Sequence, residues 1–83
     1  MDNPSKLSYK NKQTILDSNN CGCFYCLSIF TKDKIKSWID NGDTAVCPKC
    51  NIDSVLGDSV HEINIDFLEK ANDIAFNKKG LSN

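Results

Sequence analysis

The sequence predicts a small α+β domain, a β-hairpin with two to three short helices, and three observations carry that prediction. Two Cys-x-x-Cys pairs, Cys23-Phe24-Tyr25-Cys26 and Cys47-Pro48-Lys49-Cys50, lie about twenty residues apart in a chain of 83. β-Branched residues flank the second pair on both sides. Helix start and stop signals bracket two further segments.

The spacing of the cysteines adds a metal to this picture. Two thiolates three residues apart converge on one ion within a single turn, and two such knuckles complete a tetrahedron of four soft sulfur ligands, the shell preferred by Zn²⁺. The expected ligands of a structural zinc are therefore Cys23, Cys26, Cys47 and Cys50, and the expected fold is a small metal-bound domain with zinc-ribbon-like knuckles. A domain this short buries only about 60% of the surface its unfolded chain exposes, so its core is marginal without such a staple.

The five cysteines also admit a disulfide framework. The count is odd, however, and the polar start Met1-Asp2-Asn3-Pro4-Ser5-Lys6 carries no apolar signal segment, which favours a reducing, cytoplasmic compartment. A thioredoxin-like reading of Cys-x-x-Cys needs a larger βαβ domain than this length provides. No apolar run approaches the roughly 18 residues of a membrane span, so no membrane association is expected.

Cys21 makes a third candidate in the first cluster. Its distance to Cys23 is too short for a standard knuckle, and the simplest reading is a free thiol near the site. The alternatives pair it with Cys26 or use it as a replacement ligand. His61 is read as a loop residue, with a fourth-ligand role as the alternative.

Residues 1–83 read as a single domain with an ordered core at about 9–78; residues 1–8 and 79–83 read as frayed ends. A short helix with a thin apolar stripe is expected from Tyr9 to Asp17, broken by Ser18-Asn19-Asn20. A second helix is expected from Lys32 to Asp40. Thr31 is its N-cap, Asp33 lies in its first turn, Phe30 staples onto Ile35, and Ile35, Trp38 and Ile39 form its buried stripe. Asn41-Gly42 supplies its left-handed stop. Trp38 is expected at the centre of the core.

Thr44-Ala45-Val46 and Ile52-Asp53-Ser54-Val55-Leu56 are expected to pair as two antiparallel strands joined by the second knuckle. Asn51 stands where a knuckle needs positive φ, whereas Leu27 at the matching place predicts a less regular first knuckle. A last helix is expected from Ile65 to about Asn77, capped by Asn64, stapled by Ile63 onto Leu68, and closed by Lys78, Lys79 and Gly80. Its apolar face, formed by Ile65, Phe67, Leu68, Ala71, Ile74, Ala75 and Phe76, is wider than one hairpin covers. Either it packs on both the hairpin and the Trp38 helix, or part of it is a partner surface.

Cys21-Gly22-Cys23-Phe24-Tyr25-Cys26, followed in order by Phe30, Trp38, Thr44-Ala45, Cys47-Pro48-x-Cys50 and Ile52-Asp53-Ser54-Val55-x-Gly57-Asp58, resembles the pattern of a family of small bacterial cytoplasmic proteins of uncharacterised role. The resemblance spans roughly residues 14–76. It implies a bacterial, cytoplasmic source and carries no activity with it. The chain departs from that pattern at Asn51, where such proteins usually have Gly, and in lacking a Tyr-Trp pair just before Phe76.

Charge and chemistry narrow the function classes. All ten cationic side chains are lysines, against eleven carboxylates, and a zinc tetrathiolate takes the total to about −3. With no arginine for bidentate contact, nucleic-acid binding is the less favoured reading. Lys32, Lys34, Lys36 and Lys49 would supply its phosphate contacts, and Phe24 and Tyr25 its stacking. The simpler role for those two aromatics is to cover the thiolates.

No enzyme is expected. Four thiolates close the metal shell, and Ile65 stands where a His-Glu-x-x-His motif starting at His61 needs its second histidine. A triad drawn from Asp53, Ser54, Asp58, Ser59 and His61 is weaker than the reading of that segment as turn chemistry. The function expected is a zinc-stabilised protein-interaction module whose partner is another protein.

Overall fold

The computed structural model describes residues 3–76. In chain order the elements are α1 (Pro4–Leu7), α2 (Lys12–Leu16), β1 (Asn20–Cys23), β2 (Ile29–Thr31), a 3₁₀ turn over Lys32–Lys34, β3 (Ser37–Ile39), β4 (Thr44–Val46), β5 (Val55–Gly57) and α3 (Ile65–Phe76). The predicted α+β class, with antiparallel hairpins, three helices and a four-cysteine cluster, is what the chain forms.

Two antiparallel sheets share the strands. One has the order β2-β1-β5 and the other joins β3 to β4. In the first, Cys21 lies opposite Phe30 on β2 and Gly57 on β5. In the second, Trp38 lies opposite Ala45.

Strand alternation sends successive residues to opposite faces. One core accordingly gathers Ile15, Cys21, Cys23, Phe30, Ile35, Ala45, Cys47 and Val55. On the other side of the three-stranded sheet, Leu56 packs with Phe24 and the α3 residues Phe67, Leu68 and Ala71. Gly22 lets α3 come this close, since a Cβ there would sit 2.8 Å from Ile63 Cγ2 and 2.9 Å from Leu68 Cδ1.

The last helix runs as predicted to the end of the described residues. Phe67 N–H donates to Asn64 Oδ1 at 2.8 Å, which is the expected cap. The stop assigned to Lys78, Lys79 and Gly80 lies outside the described residues. The predicted stripe splits: Phe67, Leu68 and Ala71 are buried with Asn72, while Ile65, Ile74 and Phe76 stay exposed.

The segment after Phe30 overturns the helix predicted for Lys32–Asp40. It forms a single 3₁₀ turn, extends at Ile35, and becomes β3. Eight or nine residues form a marginal helix in isolation, and over so short a run a helical stripe and a strand edge are indistinguishable by periodicity. Asp40, Asn41 and Gly42, with φ of 54°, 62° and 87°, turn the chain back into β4. Asn-Gly is here a hairpin signal and not a helix stop. Thr31 caps nothing; its hydroxyl bonds the Asp33 carboxylate. Phe30 and Ile35 share one core as expected, but Trp38 is only partly buried, packed against that core from its rim.

Three further expectations are corrected. Pro4–Leu7 is helical, capped by Asn3 Oδ1 and with Pro4 buried, where a frayed end was expected. The helix expected from Tyr9 shrinks to Lys12–Leu16, because Lys10 takes φ of 48° and the Asn11 amide is used elsewhere. The strands beside the second knuckle do not pair with each other: β4 pairs with β3 and β5 with β1.

The two sheets are stitched by one buried side chain. Asn11 Nδ2 donates to the Val55 carbonyl at 2.7 Å, and its Oδ1 accepts from Ala45 N–H at 3.2 Å. One amide thereby satisfies a backbone group of β5 and one of β4.

Candidate metal centre

Each cysteine pair sits in a knuckle, and the two knuckles are built alike. In the first, Leu27 N–H donates to the Cys23 carbonyl (2.8 Å) and Cys23 N–H to the Ser28 carbonyl (2.9 Å). In the second, Asn51 N–H donates to the Cys47 carbonyl (3.0 Å) and Cys47 N–H to the Ile52 carbonyl (2.9 Å). The amides inside the loops aim at the leading sulfurs: Tyr25 N–H lies 3.4 Å from Cys23 Sγ and Lys49 N–H 3.3 Å from Cys47 Sγ. Such amides stabilise thiolates, as hydrogen bonds to a charged form do.

The residue after each second cysteine must take the left-handed conformation for the loop to close. Asn51 does so with φ of 64°, as expected. Leu27 does so too, with φ of 65°, so the prediction of an irregular first knuckle is overturned. A branched residue in this region costs roughly 1–2 kcal/mol. Partial packing of Leu27 against the Phe24–Leu68 core compensates, and the first knuckle forms the regular connection between β1 and β2.

The four sulfurs expected as ligands converge. Cys23 Sγ lies 3.6 Å from Cys50 Sγ, and Cys26 Sγ lies 3.7 Å from Cys47 Sγ. All four fall within 4.8 Å of one another. A tetrahedron of thiolates about 2.3 Å from its centre has edges of about 3.8 Å, so the cluster has the dimensions of a metal shell. These separations far exceed the roughly 2.05 Å of a disulfide. Cys23 and Cys47 are buried, while Cys26 and Cys50 lie nearer the surface.

Metal-free, the sulfurs do not share one acidity. Burial pushes the Cys23 thiol far up, against the pull of the Cys26 and Tyr25 amides, and raises Cys50 as well. At Cys26 burial also acts upward, but hydrogen bonds from the Ser28 hydroxyl and amide outweigh it and bring the thiol down to about 7. Ser28 Oγ lies 3.2 Å from Cys26 Sγ. Ser28 is a part of the site that the sequence reading missed; its signal is its place two residues after Cys26, matched by Ile52 after Cys50.

Cys21 does not join the cluster. It is fully buried on β1, and burial together with the Asp58 charge pushes its thiol up to about 11. His61 stays outside too: its ring stacks on Phe67 at 4.1 Å, and Nδ1 lies 2.8 Å from the Glu62 carbonyl oxygen. The residues that form a triad on paper are occupied with turn structure. The Asp58 carboxylate accepts from the Asn19 and Asn20 amides, and the Ser59 hydroxyl donates to the Thr14 carbonyl. Ser54 is buried, its carbonyl accepting from Phe24 N–H.

The knuckle aromatics divide. Phe24 is buried in the α3 core, whereas Tyr25 is 52% exposed and meets Phe76 edge-on at 5.3 Å. Neither belongs to the core that holds the sulfurs. Asn72 fastens α3 to this knuckle, its Nδ2 donating to the Phe24 carbonyl at 2.7 Å.

Of the lysines near the knuckles, Lys32 bonds the Leu16 carbonyl. Lys34, Lys36 and Lys49 line a shallow groove with Ile29 and Pro48. Among the described residues, no helix is long and apolar enough to cross a membrane. Comparison of the chain with family models, with curated proteins and with solved structures returns no match.

Proposed function

We propose that this chain is a protein-interaction module stapled by a structural zinc ion held by Cys23, Cys26, Cys47 and Cys50. The observation that carries the reading is the convergence of two like-built knuckles on four sulfurs spaced as the edges of a metal tetrahedron. Four thiolates leave no position for water or substrate, so the metal's contribution is to folding and the module is not an enzyme. Unpaired thiols in a metal site suit a reducing compartment, in line with a cytoplasmic location.

The partner class follows from the surface. A module with net charge about −3 when metallated and no arginine is poorly matched to nucleic acid. Tyr25, Ile74 and Phe76 leave apolar surface outside the core. Leu68, one of the stripe residues considered for a partner surface, is fully buried and belongs to the fold.

A nucleic-acid-associated zinc ribbon is the second reading, favoured by the groove carrying Lys34, Lys36 and Lys49. Oligonucleotide binding that falls steeply with salt marks it; binding to a protein without affinity for an oligonucleotide marks the first.

Elemental analysis of reduced, purified protein tests the metal. One zinc per chain is expected, and sub-stoichiometric metal overturns the proposal. Iron is the competing occupant of a tetrahedral S₄ site, and finding it would overturn the zinc assignment. Cys47→Ser is expected to abolish the fold, because apparent zinc affinities of about 10–16 kcal/mol exceed the stability so small a core supplies. A Cys47→Ser variant with native circular dichroism and an unchanged melting temperature would show that folding does not depend on the metal.

A further inference from the structure

The edge of the three-stranded sheet beside the metal centre combines outward backbone groups with a groove whose charged lining is all lysine. The strand order β2-β1-β5 leaves β2 outermost. Cys23 N–H donates to the Ser28 carbonyl and Lys32 N–H to the Asn19 carbonyl, bracketing the ladder. In an antiparallel pair the bonded residues alternate, so Phe30 faces Cys21 through the ladder while the backbone groups of Ile29 and Thr31 point away from β1. No other strand among the described residues pairs with that side.

A groove of about 430 Å³ is lined by the β2 residues Ile29, Phe30 and Thr31 together with Lys34, Lys36, Pro48 and Lys49. No carboxylate lines it. The neighbouring Asp33 is held by the Thr31 hydroxyl, which keeps its carboxyl below the usual range. Ile29, 44% exposed, offers an apolar contact at the start of β2.

Lysines along a sheet edge oppose pairing with a second copy of the same edge, since lysines would meet lysines. They favour a strand of opposite charge. Nucleic acid would be drawn by the same lysines, but it has no use for the outward amides and carbonyls of Ile29 and Thr31, and the groove offers no arginine.

We propose that the β2 edge docks an extended acidic segment of a partner protein. That segment adds as a further strand on Ile29 and Thr31 and sets its carboxylates against Lys34, Lys36 and Lys49. This rests on the reading of the chain as a protein-interaction module and names the face and chemistry of the contact. With so short an edge few main-chain hydrogen bonds form, so the affinity is modest.

The test uses the metal-loaded 83-residue chain and a fluorescein-labelled heptapeptide of alternating valine and glutamate. The controls are the valine–lysine counterpart and a single-stranded thymidine oligonucleotide. The acidic peptide alone is expected to bind. Lys34→Glu combined with Lys36→Glu should weaken it about tenfold or more.

Thr31→Pro separates edge pairing from charge attraction. Thr31 has φ of −81°, close to that of proline, and its N–H points out of the sheet, so the substitution removes an outward donor while leaving the ladder intact. Thr31→Val controls for the lost hydroxyl and should bind as the parent does, whereas Thr31→Pro should lose about fivefold or more. If Thr31→Pro alters the melting temperature, peptides N-methylated at odd or at even positions repeat the test on unmodified protein; one set should bind and the other should not.

Acidic-peptide binding indifferent to Thr31→Pro and to both N-methyl sets overturns the strand-addition proposal. So does preferential binding of the oligonucleotide, or failure of the acidic peptide to bind. Metal content and circular dichroism measured on the same samples report on the stapled module separately, so a failed docking strip is distinguishable from a failed metal site.

Discussion

Leu27 and Asn51 occupy the same place in their knuckles, with φ of 65° and 64°, although one is branched and apolar and the other polar. Asn51 is exposed and chosen for backbone alone, so Asn51→Val is expected to lower the stability of the metal-loaded protein by about 1–2 kcal/mol. Asn51→Gly should be tolerated. Denaturant unfolding at fixed metal concentration measures both. Cys21 poses a different residue-scale question, because it is chemically identical to the ligands yet lies in the apolar core opposite Phe30 and Gly57. Cys21→Ser should keep the metal but cost about 1–3 kcal/mol for burying a hydroxyl, and Cys21→Ala should keep the metal as well. The Cys21 thiol, raised to about 11 from an ordinary 9.0, favours the folded state in its neutral form. Its contribution is full below pH 9 and is lost as pH rises through 9 to 11. Melting curves across that window should therefore fall for the parent more than for Cys21→Ala, and parallel curves would show that Cys21 does not titrate as described.

Among the elements, Asn11 and Asn72 act as polar fasteners between parts that also share an apolar core. Asn11 joins β5 to β4 through two backbone hydrogen bonds, and Asn72 ties α3 to the first knuckle at the Phe24 carbonyl. Removing such a side chain leaves buried backbone groups without partners, at about 1–3 kcal/mol each. Asn11→Ala is expected to destabilise the metal-loaded protein by about 2–4 kcal/mol, more than the exposed helix substitution Gln13→Ala. Equal unfolding midpoints for the two variants would remove Asn11 from its bridging role. The helix expected over Lys32–Asp40 failed for a reason that also belongs to this scale. Ile35, Trp38 and Ile39 satisfy a helical stripe, but Ser37–Ile39 can also pair with Thr44–Val46 once Asn41-Gly42 makes a hairpin, and the ladder outweighs an isolated short helix.

For the whole molecule, folding and metal binding are expected to be one event. In the unfolded, metal-free chain the four ligand cysteines have their ordinary pKa of about 8.5 and are mostly protonated at neutral pH. A metal that binds four thiolates must then expel most of those protons. Zinc titration calorimetry in two buffers of different ionisation enthalpy should read a release of about two or more, and no buffer dependence would contradict the four-thiolate shell. By the same linkage, stability of the loaded protein should decline on acidification as protons compete for the sulfurs. A chelator at neutral pH should collapse the circular dichroism spectrum to that of an unfolded chain, with recovery on adding zinc.

The chain itself determined the two knuckles, the capped last helix and the left-handed Asn51, because each rests on interactions within about five residues, where spacing dictates geometry. The convergence of the four sulfurs joins residues 21 and 27 apart and was legible only because one tetrahedral ion needs two such pairs. Tertiary structure alone decided the strand partners, the conversion of the Trp38 segment into a hairpin, the left-handed Leu27, the burial of Cys21 away from the sulfur cluster, and the bridging role of Asn11. Those outcomes depend on which distant groups come to need a hydrogen bond or an apolar neighbour, as when Val55 and Ala45 meet across Asn11. Local preference in this chain is too weak to choose among them: a three-residue strand gains its stability from what it pairs with, and the pairing is fixed only when both sheets and the last helix close around one core.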